Sequence, residues 1–198
     1  MGRRRKISDQ QVLELTRRLL WERGLQITTR TLAAEIGISE GVIFQRFTSK
    51  EGLVRAALLM PQIQAVQMID QATRGKDARE VLENIAVVIF RAFCELLPFY
   101  IPLIAHSELE RERVFNSRTS PFQLFLDALE RHLKTERHSG RIWTESPYTT
   151  SYFIVSALHN AALFETITGS STGIHEGTAR DLIGVLWPGL EPRDFRSK

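Results

Sequence analysis

The sequence predicts an all-α fold: a small three-helix head, residues 1–53, followed by a larger helical body, residues 54–198. Three observations carry that prediction. Apolar residues recur at helical three-and-four spacing along almost the whole chain, and no stretch sustains the period-two alternation of a half-buried strand. Ser, Thr and Gly punctuate the apolar stripes where helices start and stop. The net charge of +3 is also unevenly spread, with 11 Lys/Arg against 6 Asp/Glu in residues 1–60 and 15 against 17 in the rest. A basic end on a near-neutral body suits an anionic partner, either nucleic acid or membrane headgroups.

The first helix opens at "SDQQ", where Ser8 and Gln11 can form a capping box, and Gly24 ends it. Val12, Leu15, Thr16, Leu19 and Leu20 make its stripe. A short second helix runs over about 29–36, capped by Thr28 and stopped by Gly37, and a third runs from Ser39 to about Phe47. In the fourth, "TSKE" offers either Thr48 or Ser49 as the cap, and Pro61 either kinks the helix or ends it. Residues 78–97 form a helix apolar nearly all round, hence central and buried, and Pro98 and Pro102 break the chain beyond it into a short helical piece. Ser120 with Pro121 starts the next helix, and Gln123 completes its capping box. Ser146 repeats the Ser-Pro start for a long helix over 147–168, which Gly169 closes. A last helix, about 175–187, ends at "WPG".

Several functional classes are disfavoured. No apolar run approaches the roughly 18 uninterrupted residues of a membrane span, because Glu83, Asn84, Arg91 and Glu95 interrupt the most apolar segment. The basic start lacks the apolar core of a secretory signal, so a cytoplasmic protein is expected, with no membrane partner. The lone Cys94 has no second thiol for a disulfide or a Cys-based zinc site. Histidines 106, 132, 138, 159 and 175 show no metal spacing, and no Glu-x-x-His pair of a di-iron bundle occurs. Neither a metal nor an organic cofactor is expected, and an enzyme is disfavoured.

One stretch argues the other way. "GISEG", residues 37–41, fits the G-x-S-x-G pattern of a hydrolase nucleophile elbow. That elbow needs a strand before the serine and a sheet around it. Here the helical "TLAAEI" precedes it, so the stretch reads as a turn between two short helices, with Ser39 capping the second.

From Ser8 to Leu58, and most specifically across "ITTRTLAAEIGISEGVIFQRFTSKEGL", the chain resembles the DNA-binding domain of TetR-family transcriptional regulators. The resemblance rests on "ERG" closing the first helix, on Thr28, Leu32, Ala33, Gly37, Ser39, Gly41, Ile43, Phe44 and Phe47, and on Ser49, Lys50 and Leu53. It implies a helix-turn-helix whose third helix enters the major groove. Ile38, Ile43 and Phe47 should then face the head's core, leaving Glu40, Val42, Gln45 and Arg46 outward. Gln45 suits adenine, Arg46 guanine, Val42 a thymine methyl and Glu40 cytosine, while Gly41 lets the backbone come close. Lys50 suits a phosphate at the start of the fourth helix. The resemblance also implies contacts at Thr28, Thr29 and Arg30. Where the family often has a tyrosine with its hydroxyl on a phosphate, this chain has Phe44, which keeps only the packing. The arm Arg3, Arg4, Arg5 and Lys6 either tracks a minor groove or simply adds charge.

So small a reading helix calls for a two-fold dimer on half-sites roughly 34–36 Å apart, or a multiple of that. The resemblance implies a four-helix interface from the last two helices, for which Ala157, Ala161, Ala162, Phe164, Leu182 and Leu186 are the candidates. Between head and interface lie many aromatic residues, and family members typically bind a small molecule there. The candidate pocket residues are Phe90, Phe93, Cys94, Leu97, Phe122, Phe125, Leu126, Leu129, Tyr152 and Phe153, with Phe99 and Tyr100 in the same aromatic set and His106, Glu108 and His159 as polar contacts. The expected partners are thus a double-stranded DNA operator, a lipophilic effector and a second copy of the chain. The expected function is a ligand-responsive regulator, most often a repressor in this family; the alternative is a DNA-binding regulator without an effector, constitutive or controlled by a protein.

Overall fold

The structure is a computed structural model that describes residues 7–71, 77–106, 120–169 and 176–192. The arm Arg3–Lys6, Glu108 and His175, and the side chains of Pro61 and His106, lie outside the described residues. Eight helices and no strand are found among those described: α1 (Asp9–Arg23), α2 (Thr29–Ile36), α3 (Glu40–Phe47), α4 (Lys50–Gln71), α5 (Ala78–His106), α6 (Pro121–His138), α7 (Pro147–Thr168) and α8 (Glu176–Leu190). The chain divides into two compact units between Met60 and Pro61.

In the first unit the local signals act as their chemistry dictates. Ser8 and Gln11 form the reciprocal capping box of α1, and Gly24 closes that helix at φ 73°. Val12, Leu19 and Leu20 of α1 are buried together with Leu32, Ala33 and Ile36 of α2, Ile43 of α3, and Leu53, Val54, Ala57 and Leu58 of α4. This is one small core with a contribution from each helix. Of the two possible caps for α4, Ser49 serves: its Oγ accepts from the Gly52 amide at 3.0 Å.

In the second unit α5 packs against α7 and α8, and α6 packs against α7. The core lies along α5, with Ile85, Ile89 and Phe93 against Phe125, Leu129, Ile154 and Leu158. Three prolines, Pro98, Pro102 and Pro188, depart from the sequence reading, and Pro61 does not end its helix. Helix α4 continues through Pro61, α5 through Pro98 and Pro102, and α8 through Pro188 to Leu190. An interior proline costs about 3 kcal/mol of helix stability, and burial beyond two of the breaks offsets it. Phe99 and Tyr100 are buried past Pro98. Leu190 is buried past Pro188, and its carbonyl accepts from the Trp143 amide at 2.8 Å. At the start of α6, Ser120 accepts from the Gln123 amide, yet the Gln123 side chain turns to Asp127 at 2.6 Å, so the expected capping box is only half formed.

Over Ala78–Ile101, α5 is long and apolar enough to cross a membrane on composition alone, contrary to the sequence reading. Most of its apolar residues, from Val81 and Leu82 to Leu96 and Leu97, are instead buried in the protein. That is the behaviour of a central core helix.

Candidate nucleic-acid interface and ligand cavity

The turn between α2 and α3 is set by Gly37, which takes the left-handed conformation at φ 81° and donates its amide to the Ala33 and Ala34 carbonyls. Ile38 donates to Ala33 as well, at 3.0 Å, so the chain leaves α2 in a tight reversal. Ser39 is extended, and its carbonyl accepts from Val42 at 3.0 Å, but its side chain makes no capping bond. The expected side-chain cap at Ser39 is therefore not formed.

Ile43 is fully buried and anchors α3, while Ile38 and Phe47 are half-buried. Glu40, Gly41, Phe44 and Gln45 are exposed, and their spacing places them on one stripe of the helix. Phe44, a large apolar side chain, is 50% exposed there. Val42 and Arg46, four residues apart, form a half-buried flank rather than part of that stripe. Arg46 turns back toward α1: its Nη1 donates to the Ile7 carbonyl at 2.9 Å and lies 3.1 Å from Asp9 Oδ1. The outward orientation expected of Arg46 is thus replaced by a bond within the head. Its partner is 39 residues away, so no local pattern announced it.

Gly41 has no internal reason to lack a side chain. Its φ is not in the left-handed region, and a Cβ built on it would meet only Ser39 Oγ, at an ordinary 3.7 Å. Gly52 is the opposite case, since a Cβ there would run into the backbone carbonyl of Phe47. Lys50 Nζ donates to the Leu25 carbonyl at 2.9 Å, tying the start of α4 to the turn before α2. An ammonium has three donors, so this bond leaves two for a phosphate. Thr28 caps α2 by accepting from the Thr31 amide at 3.1 Å; Thr28 and Arg30 are exposed and Thr29 is half-buried.

The second unit holds a cavity of about 500 Å³. Phe93, Leu96, Leu97, Tyr100 and Ile101 of α5 form one wall, and Tyr152, His159 and Leu163 of α7 form another. Ser120, Pro121, Phe122 and Gln123, at the start of α6, complete it. His159 meets Phe93 edge to face at 5.0 Å and Phe122 at 6.0 Å. Burial among these rings pushes its pKa below the ordinary 6.5, so a neutral imidazole is favoured.

Of the pocket residues named from the sequence, Phe93, Leu97, Phe122 and Tyr152 line this cavity, together with Tyr100 of the aromatic set and His159 of the polar contacts. Phe90, Phe125, Leu126 and Leu129 are buried elsewhere in the core, and Cys94 is half-buried against it. Phe153 points to a separate cleft with Trp143 and Leu186. Leu96, Ile101, Ser120, Pro121, Gln123 and Leu163 were missed. The three-and-four spacing of Phe93, Leu96, Leu97, Tyr100 and Ile101 would have found the α5 wall, had Pro98 not been read as its end.

On α7 a different face carries exposed Phe153, Phe164 and Ile167, with half-buried Ala157 and Ala161, and on α8 Val185 is 81% exposed beside half-buried Leu182 and Leu186. Ala162 is fully buried within its own unit, so it is no interface residue. Among the described residues no cluster of three or more His, Cys, Asp or Glu could hold a metal ion.

Residues 12–57 match the family described as bacterial regulatory proteins, tetR family. No curated protein matches the sequence. Solved structures of similar fold include a protein from Mesorhizobium loti assigned to the TetR-family transcriptional regulators (TM-score 0.73, 16% identity, covering 92% of this chain and 96% of that one). A TetR-family transcriptional regulator from Pectobacterium atrosepticum is similar at TM-score 0.68 and 14% identity, covering 94% of this chain and 95% of its own. A protein from Saccharomonospora viridis, solved in complex with choline, is similar at TM-score 0.67 and 16% identity, covering 93% and 98%. Identities this low establish a shared fold only. Residues 12–57 are thus similar to the tetR family's regulatory proteins, and the chain along its length has the fold of the solved TetR-family transcriptional regulators.

Proposed function

We propose that the chain is a ligand-responsive repressor that binds a palindromic DNA operator as a homodimer and is released by a small, mainly apolar or aromatic effector. The observation that carries the DNA-binding reading is the exposed stripe Glu40, Gly41, Phe44 and Gln45 on a helix whose opposite side is anchored by Ile43. An unfilled glycine and an exposed phenylalanine side by side suit a surface that another molecule approaches closely. Lys50 and the start of α2, at Thr28, Thr29 and Arg30, would supply backbone contacts. The unpartnered apolar faces of α7 and α8 support pairing of two copies through those helices.

The effector reading rests on the cavity. Its volume lies in the range that holds a drug-sized molecule, and its walls are apolar and aromatic with few polar groups. A similar fold is known with choline bound, a ligand that aromatic faces recognise. The ligand acts by favouring one spacing of the two DNA-reading heads, with α4 as the connecting lever. Selection of bound duplexes from a random pool, then titration with a lipophilic compound library, tests both halves. An inducer should lower operator affinity while sedimentation still shows dimers. Monomers on induction would refute the lever. No thermal shift across the library would favour constitutive binding or control by a protein partner.

A further inference from the structure

The structure redistributes roles along α3. We propose that Arg46 is a positioning residue that buckles α3 to the start of α1, and that base reading falls to the exposed stripe, where Gln45 takes adenine and Phe44 packs on a thymine methyl. Each half-site would then be centred on an A·T-containing step rather than on a guanine read by Arg46. This rests on the operator-binding reading above and goes beyond it by naming the base pairs.

A guanidinium reads guanine by offering two parallel N–H groups to O6 and N7. Arg46 is committed elsewhere: it is held at 2.9 Å on a backbone carbonyl and at 3.1 Å from a carboxylate, on the flank of α3 rather than on its exposed stripe. To reach a base it would have to leave the Ile7 carbonyl and Asp9 without this donor. The exposed stripe itself carries no cation: it presents a carboxylate (Glu40), no side chain (Gly41), an aromatic ring (Phe44) and a carboxamide (Gln45). Of these, the carboxamide matches the donor and acceptor of adenine, and the ring matches the only apolar group of the major groove, the thymine C5-methyl. The two side chains are neighbours in sequence and both lie on the exposed stripe.

The test uses the full chain and duplexes recovered by random selection. The half-sites should share an A·T step. Deoxyuridine in place of its thymidine, which removes only the methyl, should weaken binding several-fold. Gln45→Ala should lose preference for adenine by about 5- to 150-fold, the range of one bidentate pair. Arg46→Ala should weaken all duplexes by a common factor and leave every base preference intact. Asp9→Asn should do the same to a smaller extent, and the double variant should be no worse than Arg46→Ala alone, which a base-reading arginine would not produce. If Arg46→Ala fails to fold, 7-deazaguanine at each half-site guanine in the wild-type complex decides the question, since the proposal expects no loss. A fixed guanine whose preference disappears only in Arg46→Ala would overturn the inference and leave the operator reading standing. Failure to enrich any palindrome would sink the operator reading first.

Discussion

Replacing Gly41 by alanine separates the demands of folding from those of binding, because the two should respond in opposite directions. Gly41 sits in the first turn of α3 with ordinary helical backbone, and the added methyl would meet only Ser39 Oγ at 3.7 Å. No atom has to move, so the steric cost is close to zero. Alanine is better than glycine inside a helix by about 0.8–1.0 kcal/mol; near the helix start roughly half of that is realised, about 0.5 kcal/mol. For a unit of about 60 residues, 1 kcal/mol corresponds to roughly 4–8 °C, so the head should melt about 2–4 °C higher. On the DNA side the methyl projects from the exposed stripe where the backbone must come close, and the affinity loss should be at least about tenfold, or ~1.4 kcal/mol. Thermal melting by circular dichroism and fluorescence anisotropy on a selected duplex, both at one fixed salt concentration, measure the two effects. An unchanged affinity alongside a raised melting temperature would refute the assignment of this face to DNA. A lowered melting temperature would show that Gly41 has a packing role within the head.

Three further outcomes are expected. Gly52→Ala should destabilise the head by about 1–3 kcal/mol, because its Cβ meets the backbone carbonyl of Phe47 rather than a side chain that can yield; chemical denaturation reads this as a lower midpoint. Val185→Glu should leave the melting of the single chain within about 0.5 kcal/mol, since the residue is 81% exposed, yet convert dimers to monomers in sedimentation and weaken operator binding; a dimer that persists would place the interface elsewhere. The folded pKa of His159 is depressed, so the unfolded chain binds more protons as pH falls below the ordinary 6.5. Stability from its burial is therefore full above that value and lost progressively as pH falls through the lower folded pKa. His159→Gln should flatten this part of the profile of melting temperature against pH.

Signals confined to one helix turn were legible in the sequence, and those that depend on distant partners were not. The capping box at Ser8, the left-handed Gly37 and the Ser-Pro starts at Ser120 and Ser146 each involve atoms within a few residues, and each sits where the sequence placed it. The prolines at 98, 102 and 188 were misread because the rule that proline stops a helix is local, whereas the burial of Phe99, Tyr100 and Leu190 that offsets it is tertiary. Arg46 was misplaced for the same reason, its acceptor lying 39 residues away. The aromatic set could not be sorted by residue type: Phe93 and Phe125 touch edge to face at 5.0 Å, yet only Phe93 reaches the cavity.

Helix α7 carries Tyr152, His159 and Leu163 on one face and Phe153, Phe164 and Ile167 on another about 100° away, the rotation of a single residue. Point changes can alter the chemistry of the first face while the second is untouched. A one-residue insertion or deletion within this helix, however, would turn everything downstream of it by about 100°, bringing one face to where the other was and carrying that other face out of register. Diverging relatives should therefore vary in letters between Pro147 and Thr168 while keeping the length of that segment fixed.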